Sequence, residues 1–127
     1  MILKKQHIHL LLSVVIVIPA GITYGLIPNG ILQHVLFFHV ENPTLSNIFR
    51  AIMGLYLGIA AFWIIGILYP TYWKAATLVN ILFMSGLAFG RIISMILDGQ
   101  PSIIFSVGVV GELILAGWGI YNLKKFK

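Results

Sequence analysis

Four charged side chains stand where this chain can least accommodate them. Arg50, Arg91 and Glu112 fall inside long apolar runs, and Asp98 closes one of those runs. Two guanidiniums and two carboxylates balance in charge, so they can pair with one another. A guanidinium with donors to spare is instead a planar fork suited to phosphate or carboxylate. The spacing gathers these groups. Arg91 and Asp98 are seven residues apart and Asn80 lies eleven before Arg91, so all three project from nearly one helical face, with Ser94 beside it. Arg50 shares a face with Gly54 and Gly58, with Tyr56 off to one side, and Glu112 shares one with Gly108, Ala116 and Gly119. Small residues mark the faces by which apolar helices approach closely, so the charges are expected to point into a bundle. The expected ligand-binding set is Arg50, Arg91, Asp98, Glu112, Ser94, Tyr56 and Asn80.

The solvent around these groups follows from composition. Of 127 residues, 60% are hydrophobic and only 9% charged, with a mean hydropathy of +1.03. Soluble domains carry about 25% charged residues, and a chain this short cannot hide so much apolar side chain in one core. The chain is therefore expected to be an integral membrane protein. An Arg or Asp near mid-membrane costs about 2.5–3.5 kcal/mol on insertion scales. A polar contact between membrane helices returns only about 0.6 kcal/mol, a weak reason for keeping four such groups. Two readings compete. In one, an ionic network merely pins the helices or serves an accessory subunit; in the other, a polar pocket open to the outer side binds an anionic or amphiphilic ligand such as a lipid.

Four apolar runs, at about 8–26, 48–69, 75–97 and 103–123, are each near the ~20 residues a helix needs to cross a ~30 Å hydrocarbon layer. They lack period-two alternation, and a closed barrel needs more strands than fit. The expected fold is an all-α membrane protein: one domain, residues 1–127, forming a four-transmembrane-helix bundle. Short turns at 69–74 and 98–101 make helices two, three and four antiparallel neighbours. Pro19 and Gly21 mark a kink in helix one. The apolar but interrupted link 27–47 reads as an interfacial helix ending near Asn42 and Pro43. Lys4 and Lys5 before an apolar run resemble a signal peptide, but no Ala-x-Ala-like site follows, so a retained first span is expected.

Lys4, Lys5, Lys74, Lys124, Lys125 and Lys127 fall on one side if both termini share it, and that side is expected to be cytoplasmic. By one-dimensional rise, Arg91 then lies about 9 Å and Glu112 about 15 Å from the outer ends of their helices. The formal charge of +5 forms no continuous stripe, so nucleic acid is not an expected partner. The absence of Cys excludes disulfides and thiolate metal sites. His34, His39 and Glu41 do not share one helical face, so no metal site is expected; His7 and His9 read as headgroup-level residues. No phosphate loop, nucleophile elbow or zinc-protease motif occurs, so no catalytic residue and no cofactor is assigned. A proton-coupled carrier or enzyme using Glu112 stands as the weakest alternative. Gly54/Gly58 and Gly86/Gly90 are spaced for close helix packing, within the bundle or between copies of a homo-oligomer.

Three segments also resemble a known family. They are "FRAIMGLYLG" at 49–58, "GRIISMILDGQPS" at 90–102, and Glu112 in the last helix. They are similar to small bacterial membrane proteins catalogued as a domain of unknown function, number 4345. The most specific part is the Gly-Arg…Ser…Asp-Gly-x-Pro string. The resemblance covers most of the chain and implies a four-helix fold in the bacterial inner membrane, without supplying a substrate.

Overall fold

The computed structural model describes residues 3–26 and 40–126. Among them are four long helices and no strand. Helix α1 runs Ile8–Gly25, after a single 3-10 turn at Lys5–His7. It continues unbroken through Pro19, which donates no backbone hydrogen bond, and the Thr23 hydroxyl donates to the Pro19 carbonyl at 2.8 Å. Helix α2 spans Pro43–Leu68. It begins five residues earlier than its apolar run suggests, because local signals start it: Asn42 accepts from the Leu45 N–H at 2.7 Å, and Pro43 occupies the first turn. A side-chain acceptor before the first turn and a proline within it together favour a helix start over hydropathy alone. The interfacial helix expected before Asn42 lies outside the described residues.

Helix α2 stops at Tyr69, extended ahead of Pro70, as the residue before proline tends to be. One 3-10 turn, Pro70–Tyr72, leads into α3, Trp73–Asp98. Gly99 follows with φ +94, a conformation that side chains disfavour. Helix α4 covers Ile103–Lys125 and carries Lys124 and Lys125 in its last turn, where cations suit the negative helix end. All four helices are long and apolar enough to cross a membrane. The chain is a multi-pass integral membrane protein.

Two cross-helix hydrogen bonds fix how α1 lies on α3. The Trp73 indole donates to the Gln6 carbonyl at 3.0 Å, and the Asn80 amide donates to the Ser13 hydroxyl at 2.9 Å. Both bonds join residues 67 apart, so α1 and α3 run in the same direction at fixed register. Helices α2 and α4 run the other way. Lys4, Lys5, Lys74, Lys124 and Lys125 therefore collect at one end of the bundle, with Glu41 and Asp98 at the other.

Packing is uneven around the bundle. Helix α1 lies mainly on α2, and α4 mainly on α3, whereas α1 and α4 meet only sparsely. The buried stripe of α2 is Tyr56, Ala60, Trp63 and Ile67; that of α3 includes Trp73, Ala76, Asn80, Met84 and Ala88. Edge-on aromatic contacts run from Trp63 through Phe83 to Tyr56 and on to Tyr24, at centroid distances of 5.3, 5.3 and 6.0 Å. Such contacts add specificity to apolar packing.

The glycines of closest approach are not the paired ones. A Cβ on Gly66 would overlap that of Ala76, and one on Gly119 would come within 2.8 Å of Ile81. Gly54, Gly58, Gly86 and Gly90 would meet nothing within 4 Å. The reason is angular. Gly58 lies two residues beyond Tyr56, and Gly86 and Gly90 two beyond Met84 and Ala88. Two residues turn a helix by about 200°, so these glycines turn away from the buried stripes: Gly58 is exposed, and Gly86 and Gly90 edge an open groove beside α2.

Candidate functional site

Arg91 and Glu112 meet where the core stripes of α3 and α4 cross. Arg91 continues the series Met84, Ala88 by three residues, and Glu112 falls between Val109 and Ala116. The Arg91 Nε donates to both Oε1 and Oε2 of Glu112 at 3.1 Å. Their side chains are 24% and 12% exposed, which places the pair between a surface and a fully buried one. The Phe105 ring lies 5.0 Å below the guanidinium carbon and supports the plane from α4.

Only one edge of the guanidinium is used. Among the described residues no acceptor is hydrogen-bonded to Nη1 or Nη2 of Arg91. A guanidinium has five N–H donors, so four have no acceptor among the described residues. Arg91 and Glu112 line a cavity of about 390 Å³ between α1 and α4, floored by α2 and α3, with Tyr24, Tyr56, Met84, Phe105 and Leu115 in its wall. The wall is almost wholly apolar. Arg91 also borders a shallower groove between α2 and α3, together with Phe49, Gly86, Gly90 and Ser94.

The seven candidate residues divide. Arg91, Glu112 and Tyr56 share the cavity, and Ser94 borders the adjoining groove. Arg50 goes elsewhere: its Nη1 donates to the Gly25 carbonyl at 2.8 Å, capping the end of α1 where carbonyls lack helical partners. Asp98 stands exposed at the end of α3 and accepts from the Ser94 hydroxyl at 2.9 Å, a contact one turn long within a single helix. Asn80 belongs to a different layer, because the α1–α3 register sets it against Ser13, well inward of Arg91.

That inner layer was not legible as such. His9 is completely buried rather than at headgroup level, and its Nδ1 accepts from the Asn122 amide at 2.9 Å. Ser13 donates to the His9 carbonyl at 2.8 Å while accepting from Asn80. Thr77 is buried between the Trp73 and Asn80 levels of α3. The signal was available in principle: His9 and Ser13, Thr77 and Asn80, and Asn122 are polar residues at helical spacing, all toward the lysine ends of their helices. No His, Asp or Glu trio gathers among the described residues, and His34 and His39 lie outside them.

An ion pair with unused donors, in an apolar cavity within a membrane-spanning bundle, can hold the polar end of an apolar molecule. Comparison with curated proteins and with solved structures gave no match. The family described as Domain of unknown function (DUF4345) matches residues 6–123, nearly the whole chain, and the protein belongs to that family.

Proposed function

We propose that the protein binds an amphiphilic ligand such as a membrane lipid, with its head on Arg91 and its apolar part in the cavity between α1 and α4. The observation that carries this reading is that Arg91 lines a cavity walled by apolar side chains while no described residue accepts from its Nη atoms. The role in this reading is binding, with no reaction assigned to the Thr23, Tyr24, Tyr56 or Glu112 groups in the wall. The reading includes a place in the bacterial cytoplasmic membrane with both termini inside, supported by the lysines at one end of the bundle.

The test is the amphiphile content of the purified protein. Lipids extracted from wild type, Arg91→Gln and Gly111→Leu in the same detergent are quantified by mass spectrometry. Wild type is expected to retain a stoichiometric amphiphile that both variants lose. Equal retention in all three sinks the reading.

A second reading is favoured by one observation, the outward exposure of Gly54, Gly58, Gly86 and Gly90. Flat small-residue strips let a neighbouring helix approach closely, so one of these faces joins copies of the chain. Leucine at Gly54 and Gly58 is expected to shift the oligomer to monomer in cross-linking; an unchanged pattern removes that face.

A further inference from the structure

The cavity has one pair of charges and they cancel. Arg91 and Glu112 are the charged side chains in its wall, and each carboxylate oxygen lies 3.1 Å from Nε. A ligand with an anionic head would bring an uncompensated negative charge beside Glu112, in a layer that disfavours such charge. A head without net charge meets no such penalty, and two kinds of partner await it. The Nη edge of Arg91 donates to a carbonyl or ether oxygen. The Glu112 oxygens, each with lone-pair capacity beyond the Nε bond, accept from a hydroxyl.

The rest of the cavity limits the tail. Its volume of about 390 Å³ is near the lower end of the ~300–1,000 Å³ typical of ligand pockets, enough for one chain and not for a pair. Inward of Arg91, Leu87 and Met84 of α3 face Ala20 and Val17 of α1, an apolar slot. Its lining on α3 runs seven residues from Arg91 to Met84, about 10 Å. Gly108 and Gly111 line the cavity without a side chain, and a Cβ on either would meet nothing within 4 Å. Ile16 and Ile104, 55% and 51% exposed, flank the α1–α4 opening, so access is from the hydrocarbon rather than from water.

We propose that the occupant is a single-chain amphiphile of the bilayer with an uncharged head that both accepts and donates hydrogen bonds, the monoacylglycerol class, and that Glu112 sets this selectivity. The proposal rests on the binding role assigned to Arg91 above. It also reverses the simple expectation that two arginines attract an anion: one of them caps α1, and the other is already neutralised.

Native mass spectrometry of the protein in nanodiscs doped with equal amounts of a monoacylglycerol and a lysophosphatidate of the same chain tests this. Wild type is expected to retain the monoacylglycerol at least about tenfold over the lysophosphatidate, the scale set by one uncompensated charge. Glu112→Gln leaves the guanidinium unneutralised and should reverse the preference, while Arg91→Gln should lose both ligands. Equal or greater retention of lysophosphatidate by wild type overturns the proposal without any variant, and so does an unchanged ratio in a folded Glu112→Gln protein. In either case an Arg91-dependent signal would leave the binding role standing. Retention unaffected by Arg91→Gln would remove the binding role itself.

Discussion

The half of the bundle away from the lysines, outer in the proposed orientation, and the half at the lysine end treat polar groups differently. In the outer half a full ion pair, Arg91–Glu112, borders open space, and no described residue accepts from the Arg91 Nη atoms. In the inner half His9, Ser13, Asn80 and Asn122 carry no formal pair of charges, yet they are wholly enclosed and bonded across three helices, with His9 Nε2 and Asn80 Oδ1 left over. Glycine use follows the same division. Gly66 and Gly119 are pressed against Ala76 and Ile81 in the inner half, while Gly108 and Gly111 border the outer cavity. The inner half is built to hold helices in register. The outer half keeps a charged pair at a cavity, the feature on which the proposed binding role rests.

The sharpest way to break this contrast is to remove one member of the ion pair. Glu112→Leu strands the Arg91 guanidinium and should cost about 3 kcal/mol in a bicelle unfolding assay. The double variant Arg91→Leu/Glu112→Leu should recover most of that loss, since two apolar groups strand nothing. A double variant as unstable as the single would show that the residues act separately.

Packing comes next. Gly66→Leu forces α2 away from α3 and should cost about 2 kcal/mol, whereas Gly111→Leu, with room for its side chain, should stay within about 0.5 kcal/mol while emptying the cavity of ligand. Comparable losses of stability at both positions would erase the distinction between the two halves.

Within the inner layer the two amides differ. Asn122→Leu leaves His9 Nδ1 without its donor and should cost about 1–2 kcal/mol. Asn80→Leu deprives Ser13 of a donor only, because the hydroxyl still donates to the His9 carbonyl, and should cost less than about 1 kcal/mol. The reverse order would mean that Asn80 carries the layer. The smallest effect belongs to Arg50→Gln, about 0.5 kcal/mol, read as faster hydrogen exchange confined to the last turn of α1. Loss of ligand retention in that variant would instead put Arg50 at the cavity.

Much of the architecture was legible because hydropathy and length dictate it: each run long enough to cross a membrane became a helix, and the turn at Gly99 ended α3 as its glycine and proline neighbours imply. The start of α2 was not, since a cap and a proline act locally and leave no trace in hydropathy. Arg91 and Glu112 could be matched because each continues its helix's core stripe. Arg50 could not be placed from facing alone, because its long side chain reaches a backbone carbonyl of another helix. The glycine pairs misled for a similar reason: spacing reports that two residues share a face, not which way the face points. Asn80 required the relative height of α1 and α3, and His9 that of α1 and α4, which depend on pairings between segments 67 and 113 residues apart.

Those separations also bear on how the protein is made. The bonds that Trp73 donates to Gln6 and Asn80 to Ser13 need the third span, and the one that Asn122 donates to His9 needs the fourth, so the first span precedes all of its cross-helix polar partners in the chain. Its early companion is the second span, which meets it along Gly21 and Gly25. A chain cut short before Trp73 would therefore lack all three bonds, leaving its first span to rest on the second alone.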